Sequence, residues 1–122
     1  MDTKKLDELI YMAHPVAGDV VNNIAKAKTW LRALQDAFPN KCFIAPWITD
    51  VEIYDDANPA MRAAGLERCR FTLDRCDAIV MCGSVHSSGM MMERDHMLDQ
   101  GKRAILITAI DNIPAFVSVF AP

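Results

Sequence analysis

The run Asp77-Ala78-Ile79-Val80-Met81-Cys82 constrains this chain more than any other feature. Its apolar residues follow one another without a polar face, so the segment has to be covered on both sides, as an inner strand of a parallel sheet is. Three other short apolar runs repeat the pattern: Leu9-Ile10-Tyr11-Met12-Ala13, stopped by His14-Pro15 and Gly18; Cys42-Phe43-Ile44-Ala45; and Arg103-Ala104-Ile105-Leu106-Ile107-Thr108. Between them lie segments with helical spacing. After Asp19, which can cap a helix, Val20, Ile24, Ala27, Leu31 and Leu34 recur at three- and four-residue steps until Pro39-Asn40 ends the pattern past Phe38. Asn58-Pro59 reads as an N-cap and first-turn proline, opening a helix through Met61, Ala64, Leu66, Phe71 and Leu73 that stops near Cys76. Residues 89–100 read as a third helix, closed by Gly101. Residues 46–56 show no period and read as an irregular connection. The apolar tail, residues 109–122, with Ile113, Phe116, Val117, Val119 and Phe120, suits either a further strand or a cover for a neighbouring subunit.

Strands alternating with helices call for parallel pairing through right-handed crossovers. The expected fold class is therefore α/β: a three-layer α/β/α domain with a small parallel sheet of four or five strands. A chain of 122 residues can bury one core, and no repeat, linker or low-complexity stretch divides it, so residues 1–122 read as one domain. Ligands of such sheets sit beyond the carboxyl ends of the strands, where the strand order reverses. That rule selects the loops at residues 14–19 and 83–88. Each runs straight into a helix, whose free amides and dipole favour an anion such as phosphate. Neither has the glycine spacing of a dinucleotide fingerprint or a Walker loop, which argues against nicotinamide and ATP.

Composition narrows the partners. The net charge is −3 and the lysines and arginines are scattered, so no polynucleotide partner is expected. No apolar run approaches the ~20 residues that span a bilayer. Met1-Asp2-Thr3-Lys4-Lys5 leads into the domain without a signal peptide, so no membrane partner and a cytoplasmic location are expected. The cysteines Cys42, Cys69, Cys76 and Cys82 form no C-x-x-C pair and read as reduced thiols. Glu93 and His96, one helical turn apart, come nearest to a metal pattern, but nothing repeats them, and no metal site is expected.

Glu67-Arg68, the apolar strand opened by Asp77, Ser87-Ser88-Gly89, Glu93, and Gln100-Gly101-Lys102 entering a further strand follow one another without a gap, and Ile10-Tyr11 stands on the first strand. Across residues 67–108, and at that first strand, the chain resembles the nucleoside 2-deoxyribosyltransferases and the related nucleoside 5′-monophosphate N-glycosidases. The resemblance implies a flavodoxin-like fold with Glu93 as catalytic nucleophile and Tyr11 hydrogen-bonded to its carboxylate. Six residues before the glutamate, the transferase branch commonly has an aspartate and the monophosphate hydrolases a serine that holds phosphate; here the position is Ser87. A nucleoside 5′-monophosphate is thereby favoured as substrate over a free nucleoside. Glu93 would attack the anomeric carbon as the base departs, and water or a second base would resolve the glycosyl-enzyme. The resemblance also implies no cofactor, and a homodimer or higher homo-oligomer, because family members often complete each site with a neighbour's residues.

Two positions depart from the family. Cys69 stands where an aspartate contacts the departing base, and Met91 replaces a frequent glycine two residues before the glutamate. The expected binding set is Ser87, Ser88, Gly89, His14 and Cys69. Each has a plainer alternative: Ser87 and Ser88 as a helix cap, His14 and His86 as loop residues, Cys69 as a buried thiol, Tyr11 as core, and Glu93 as a solvated partner of Arg94 or Lys102. Trp47 reads as packing, or as a surface on which a base stacks. Beside the N-glycosidase reading stand a deoxyribosyltransferase, a nucleotide-binding protein without turnover, and a protein interface.

Overall fold

Four segments, β1 (Glu8–Ala13), β2 (Lys41–Ile44), β3 (Ala78–Cys82) and β4 (Arg103–Ile107), pair in parallel in the order β2-β1-β3-β4. The structure is a computed structural model that describes residues 5–120. The expectation placed on Met1-Asp2-Thr3-Lys4, and the end of the tail at Ala121-Pro122, lie outside those residues. Every residue of β3 is buried, as a strand without a polar face requires. It is paired on both edges: Met12 lies opposite Val80 on one side, and Val80 opposite Ile105 on the other.

The connections are helical: α1 (Val20–Ala37), α2 (Pro46–Ile53), α3 (Pro59–Leu73) and α4 (Ser88–Asp99). α1 and the C-terminal tail cover one face of the sheet, and α3 and α4 the other, which completes a three-layer α/β/α flavodoxin-like fold. The caps are local. Asp19 accepts the Asn22 amide at the head of α1, and the Asn58 side chain accepts the amides of Ala60 and Met61 at the head of α3. α1 buries Ile24, Ala27, Trp30 and Leu34 at three- and four-residue steps, and α3 buries Gly65, Cys69 and Leu73 at four-residue steps.

Two expectations are corrected. Residues 46–56 are not wholly irregular, because Pro46 occupies the first turn of α2, where its missing N–H costs nothing. Among the described residues the tail forms no fifth strand. It makes a 3-10 helix, Ile110–Phe116, and a short helix α5, Val117–Phe120. Pro114 cannot donate to a strand ladder, and two of the tail's apolar residues are covered by their own chain. Ile113 and Phe120 are buried, the Phe120 ring lying 4.3 Å from that of Phe38 and 5.6 Å from that of Phe43.

The amino-terminal edge of the sheet is tied by charge. Lys41 is 2% exposed and meets Asp7 at 2.6 Å and Glu8 at 3.0 Å, while Glu8 also meets Arg103 at 2.8 Å. Burial pushes the Lys41 ammonium toward losing its proton, but the two carboxylates prevail and its pKa is raised. The opposite, carboxyl-terminal edge is left for the two selected loops. Among the described residues, no helix is long and apolar enough to cross a membrane.

Candidate functional site

The strand order reverses between β1 and β3, so the loops that leave these two strands flank one crevice. Both turn through glycines in the left-handed region, Gly18 at φ 95° and Gly83 at φ 91°, which L side chains rarely adopt. The first loop is clamped from behind, because the Asn23 side-chain amide donates to the carbonyls of Val16 at 3.1 Å and Ala17 at 3.3 Å. The second is closed by the Gly83 amide donating to the Ile107 carbonyl at 2.9 Å and by the His86 Nε2–H donating to the Gly83 carbonyl at 2.9 Å.

Ser87 is the N-cap of α4, its Oγ accepting the Met90 amide at 3.2 Å. The plainer reading of this serine therefore holds, yet it does not exhaust the residue. A hydroxyl that accepts one hydrogen bond still has its proton to donate, and Ser87 is exposed. The amides of Ser88 and Gly89, in the first turn, precede the first residue whose amide reaches back along the helix, Met91 to the Ser87 carbonyl at 3.1 Å. One hydroxyl and two amides thus stand at the positive end of a twelve-residue helix, a surface suited to an anion.

Glu93 lies one turn deeper and is half-buried. It is not the solvated partner of Arg94 or Lys102: Arg94 pairs with Asp95 at 2.9 Å, and Lys102 donates to the Asp74 carbonyl at 2.8 Å. Among the described residues no cation pairs with Glu93. Burial raises its pKa, and only the neighbouring Tyr11 hydroxyl works in the opposite direction. His96 is held elsewhere, by Asp74, Arg70 and Gln100, and the Glu93/His96 pair shares no ligand geometry. Among the described residues no three His, Cys, Asp or Glu side chains gather as metal ligands.

Tyr11 is fully buried at the centre of β1, opposite Ile44 on one side and Ile79 on the other. Its hydroxyl neighbours both the Glu93 carboxyl and the Cys69 thiol closely enough to shift their ionisation, but makes no hydrogen bond of regular distance and angle with either. Burial first, and the Glu93 charge second, raise its pKa, so it remains a hydroxyl. Cys69 is buried too, and burial pushes its thiol up to about 11 against the pull of Tyr11. This favours the inert thiol over the reactive one.

The fold therefore brings Tyr11 from β1, Cys69 from α3 and Glu93 from α4 to one point, with Ser87, Ser88 and Gly89 at the head of the same α4. His14 stands at the end of β1, its ring parallel to that of Trp47 at 6.5 Å. Met91 is partly buried on α4, and Met92 is exposed.

A hydroxyl left without a partner in a core costs about 1–3 kcal/mol, so its presence calls for a compensating cause. At pH 4, where Glu93 is protonated and draws nothing from the hydroxyl, Tyr11→Phe is accordingly expected to gain stability of about 1 kcal/mol in urea unfolding. A loss of similar size would show that the hydroxyl is satisfied in solution.

Two neighbours were illegible from periodicity alone. The Trp47 indole N–H donates to the Met12 carbonyl at 2.9 Å, fixing α2 against β1. Asp50, also on α2, accepts Arg68 Nε at 2.9 Å and Nη2 at 2.6 Å, and its charge helps to push the Cys69 thiol up. Pro46, at the position a helix tolerates best, was the available signal for both. The α2–α3 seam also holds a cleft of about 750 Å³, lined by Asp50, Tyr54, Arg68 and Phe71 among others, but not by Tyr11, Ser87 or Glu93. The desolvated carboxyl at the sheet edge is the better guide to chemistry than this cleft.

A family model described as a domain of unknown function (DUF7768) matches residues 8–107, from the start of β1 to the end of β4. No curated protein matches the chain.

Proposed function

We propose that this chain, which belongs to the DUF7768 domain family, is a nucleotide-directed N-glycosidase that cleaves the base–sugar bond of a (deoxy)nucleoside 5′-monophosphate. One observation carries the reading: Glu93 is half-buried, has no cation partner among the described residues, and lies beside a fully buried tyrosine hydroxyl at the point where the strand order reverses. A carboxylate in that position is poorly solvated and free to act on a ligand, which suits a nucleophile.

In the proposed reaction a Glu93 oxygen attacks the anomeric carbon, and the N-glycosidic bond breaks with its electron pair passing to the base. The departing nitrogen takes up a proton. Water then attacks the glycosyl ester, giving a sugar phosphate and restoring the carboxylate. Tyr11, kept protonated, donates to the carboxylate as it turns toward the substrate. Ser87 donates to the 5′-phosphate together with the amides of Ser88 and Gly89. No cofactor takes part. The proposal places the protein in the cytosol as a homodimer or larger homo-oligomer, with neither polynucleotide nor membrane as partner.

Cys69 favours a second reading, a nucleotide-binding protein without turnover. A thiol pushed up to about 11 is a weak proton donor to a leaving base. If a carboxyl at this position serves proton transfer, its absence lowers the rate by roughly 10²–10⁴. A deoxyribosyltransferase acting on free nucleosides remains the closest rival, and Ser87 at the phosphate-holding position speaks against it.

A panel of nucleosides and nucleoside 5′-monophosphates, read by base release, separates the three. Free base and sugar phosphate from a monophosphate alone identify the hydrolase, and in that case Cys69→Asp should raise the rate at least about ten-fold. Product only when an acceptor base is added identifies the transferase. Tight calorimetric binding of a nucleotide that stays intact over long incubation identifies the binding protein. Neither binding nor release across the panel sinks all three.

A further inference from the structure

We propose that His14 reads an uncharged hydrogen-bond donor of the bound nucleotide, a sugar hydroxyl or a base N–H, through the lone pair of its Nε2, and thereby sets which nucleotide is accepted. The inference rests on the function proposed above and assigns His14 the opposite role from an anion ligand.

His14 directly follows Ala13, the last residue of β1, and opens the loop at the strand-order reversal. Its Nδ1 lies 2.8 Å from the Pro15 carbonyl oxygen. A carbonyl can only accept, so the ring proton sits on Nδ1, and the neutral ring carries its lone pair on Nε2. Burial holds the ring neutral by lowering its pKa, and Lys26 pushes the same way against the Pro15 contact. Among the described residues nothing donates to Nε2, which meets solvent through the 9% of the residue that stays exposed.

The ring cannot easily turn to find another partner. It lies parallel to the Trp47 indole within 7°, and that indole is itself anchored by its N–H to the Met12 carbonyl. The result is an oriented acceptor on the residue that opens the β1 loop, its conformation fixed before any ligand arrives. An acceptor facing a phosphate oxygen gains nothing. A hydroxyl or an N–H supplies the missing proton, while the α4 head serves the phosphate.

The test uses two variants in the Glu93→Gln background, which keeps the ligand intact. His14→Asn retains an N–H for the Pro15 carbonyl and deletes the acceptor, and His14→Phe retains the ring against Trp47. Calorimetry is run with the adenosine, guanosine, cytidine and uridine 5′-monophosphates, their 2′-deoxy forms, base-N-methylated derivatives of the best binder, and inorganic phosphate. Both variants should lose about ten-fold in affinity for the nucleotide that carries the donor, and nothing for its analogue lacking it. Loss confined to the ribo form assigns a sugar hydroxyl, and loss confined to the unmethylated base assigns an N–H. Binding of inorganic phosphate should be unchanged.

Equal loss for every nucleotide, or a parallel loss for inorganic phosphate, overturns the assignment. If the monophosphates bind and both variants match the parent, His14 is not the reader and the proposed function survives. If none of the monophosphates binds the parent, the proposed function falls and takes the inference with it.

Discussion

Glu93→Gln is expected to reduce base release by roughly a thousand-fold or more while making the protein more stable at neutral pH. The first half follows from removing the nucleophile: an amide cannot form the glycosyl ester, and only binding and orientation are left to accelerate the reaction. The second follows from the carboxyl's surroundings. Burial raises the Glu93 pKa in the folded protein, so the fold favours the protonated group. Its contribution to stability is full below the unfolded value, about 4.3 for a glutamate, and is lost as pH rises through the higher folded value.

At neutral pH the wild type therefore holds an ionised group in a place that disfavours it, and glutamine removes that cost. The expected gain is about 1 kcal/mol, a rise in Tm of roughly 4 °C, shrinking toward zero as the pH approaches 4. Activity should show the mirror image. The nucleophile must be ionised, so kcat/KM should rise with pH along a limb centred above the ordinary glutamate range. A destabilised Glu93→Gln protein, or an acid limb at 4 or below, would mean that the carboxyl is well solvated or paired in solution.

Phe120→Ala should cost about 3–5 kcal/mol, the range for emptying a buried phenylalanine site. The ring is 1% exposed and closes a cluster with Phe38 at the end of α1 and Phe43 on β2. It is the point at which the tail is fastened over that face of the sheet. With a urea dependence of about 1–3 kcal/mol/M, the unfolding midpoint should fall by roughly 2 M, while Phe120→Leu, which leaves most of the volume filled, should fall much less. A midpoint shifted equally little by both would place the tail off the sheet in solution.

The strands and long helices were legible because their signals are local. An uninterrupted apolar run such as Ala78 to Cys82 has few ways to be buried, and Asn58-Pro59 announces a helix within two residues. The short helix α2 was not legible, because eight residues with Trp47 and Ile48 buried near one end establish no period, and no side chain caps its start. The tail misled because its composition suits a strand, whereas Pro114 and the waiting rings of Phe38 and Phe43 decide otherwise.

At the site, the rule of strand-order reversal selected both loops, and the roles given to Glu93 and Ser87 came from the family resemblance, which no periodicity of the chain supplies. What no local pattern could give is the meeting of Tyr11, Cys69 and Glu93, which depends on α3 and α4 sharing one face of the sheet. The tautomer of His14 was equally hidden, being settled by the direction of one backbone carbonyl.

The central position of β1 bears on how the protein is made. Its partners arrive far apart in synthesis: β2 begins at Lys41, whereas β3 begins only at Ala78. A nascent chain can dock β1 against β2 as soon as β2 is out, and that β–α–β precursor then carries one bare edge, the Leu9, Tyr11 and Ala13 side of the β1 backbone, until the third strand emerges from the ribosome. Closing that gap is a long-range event and should limit the folding rate.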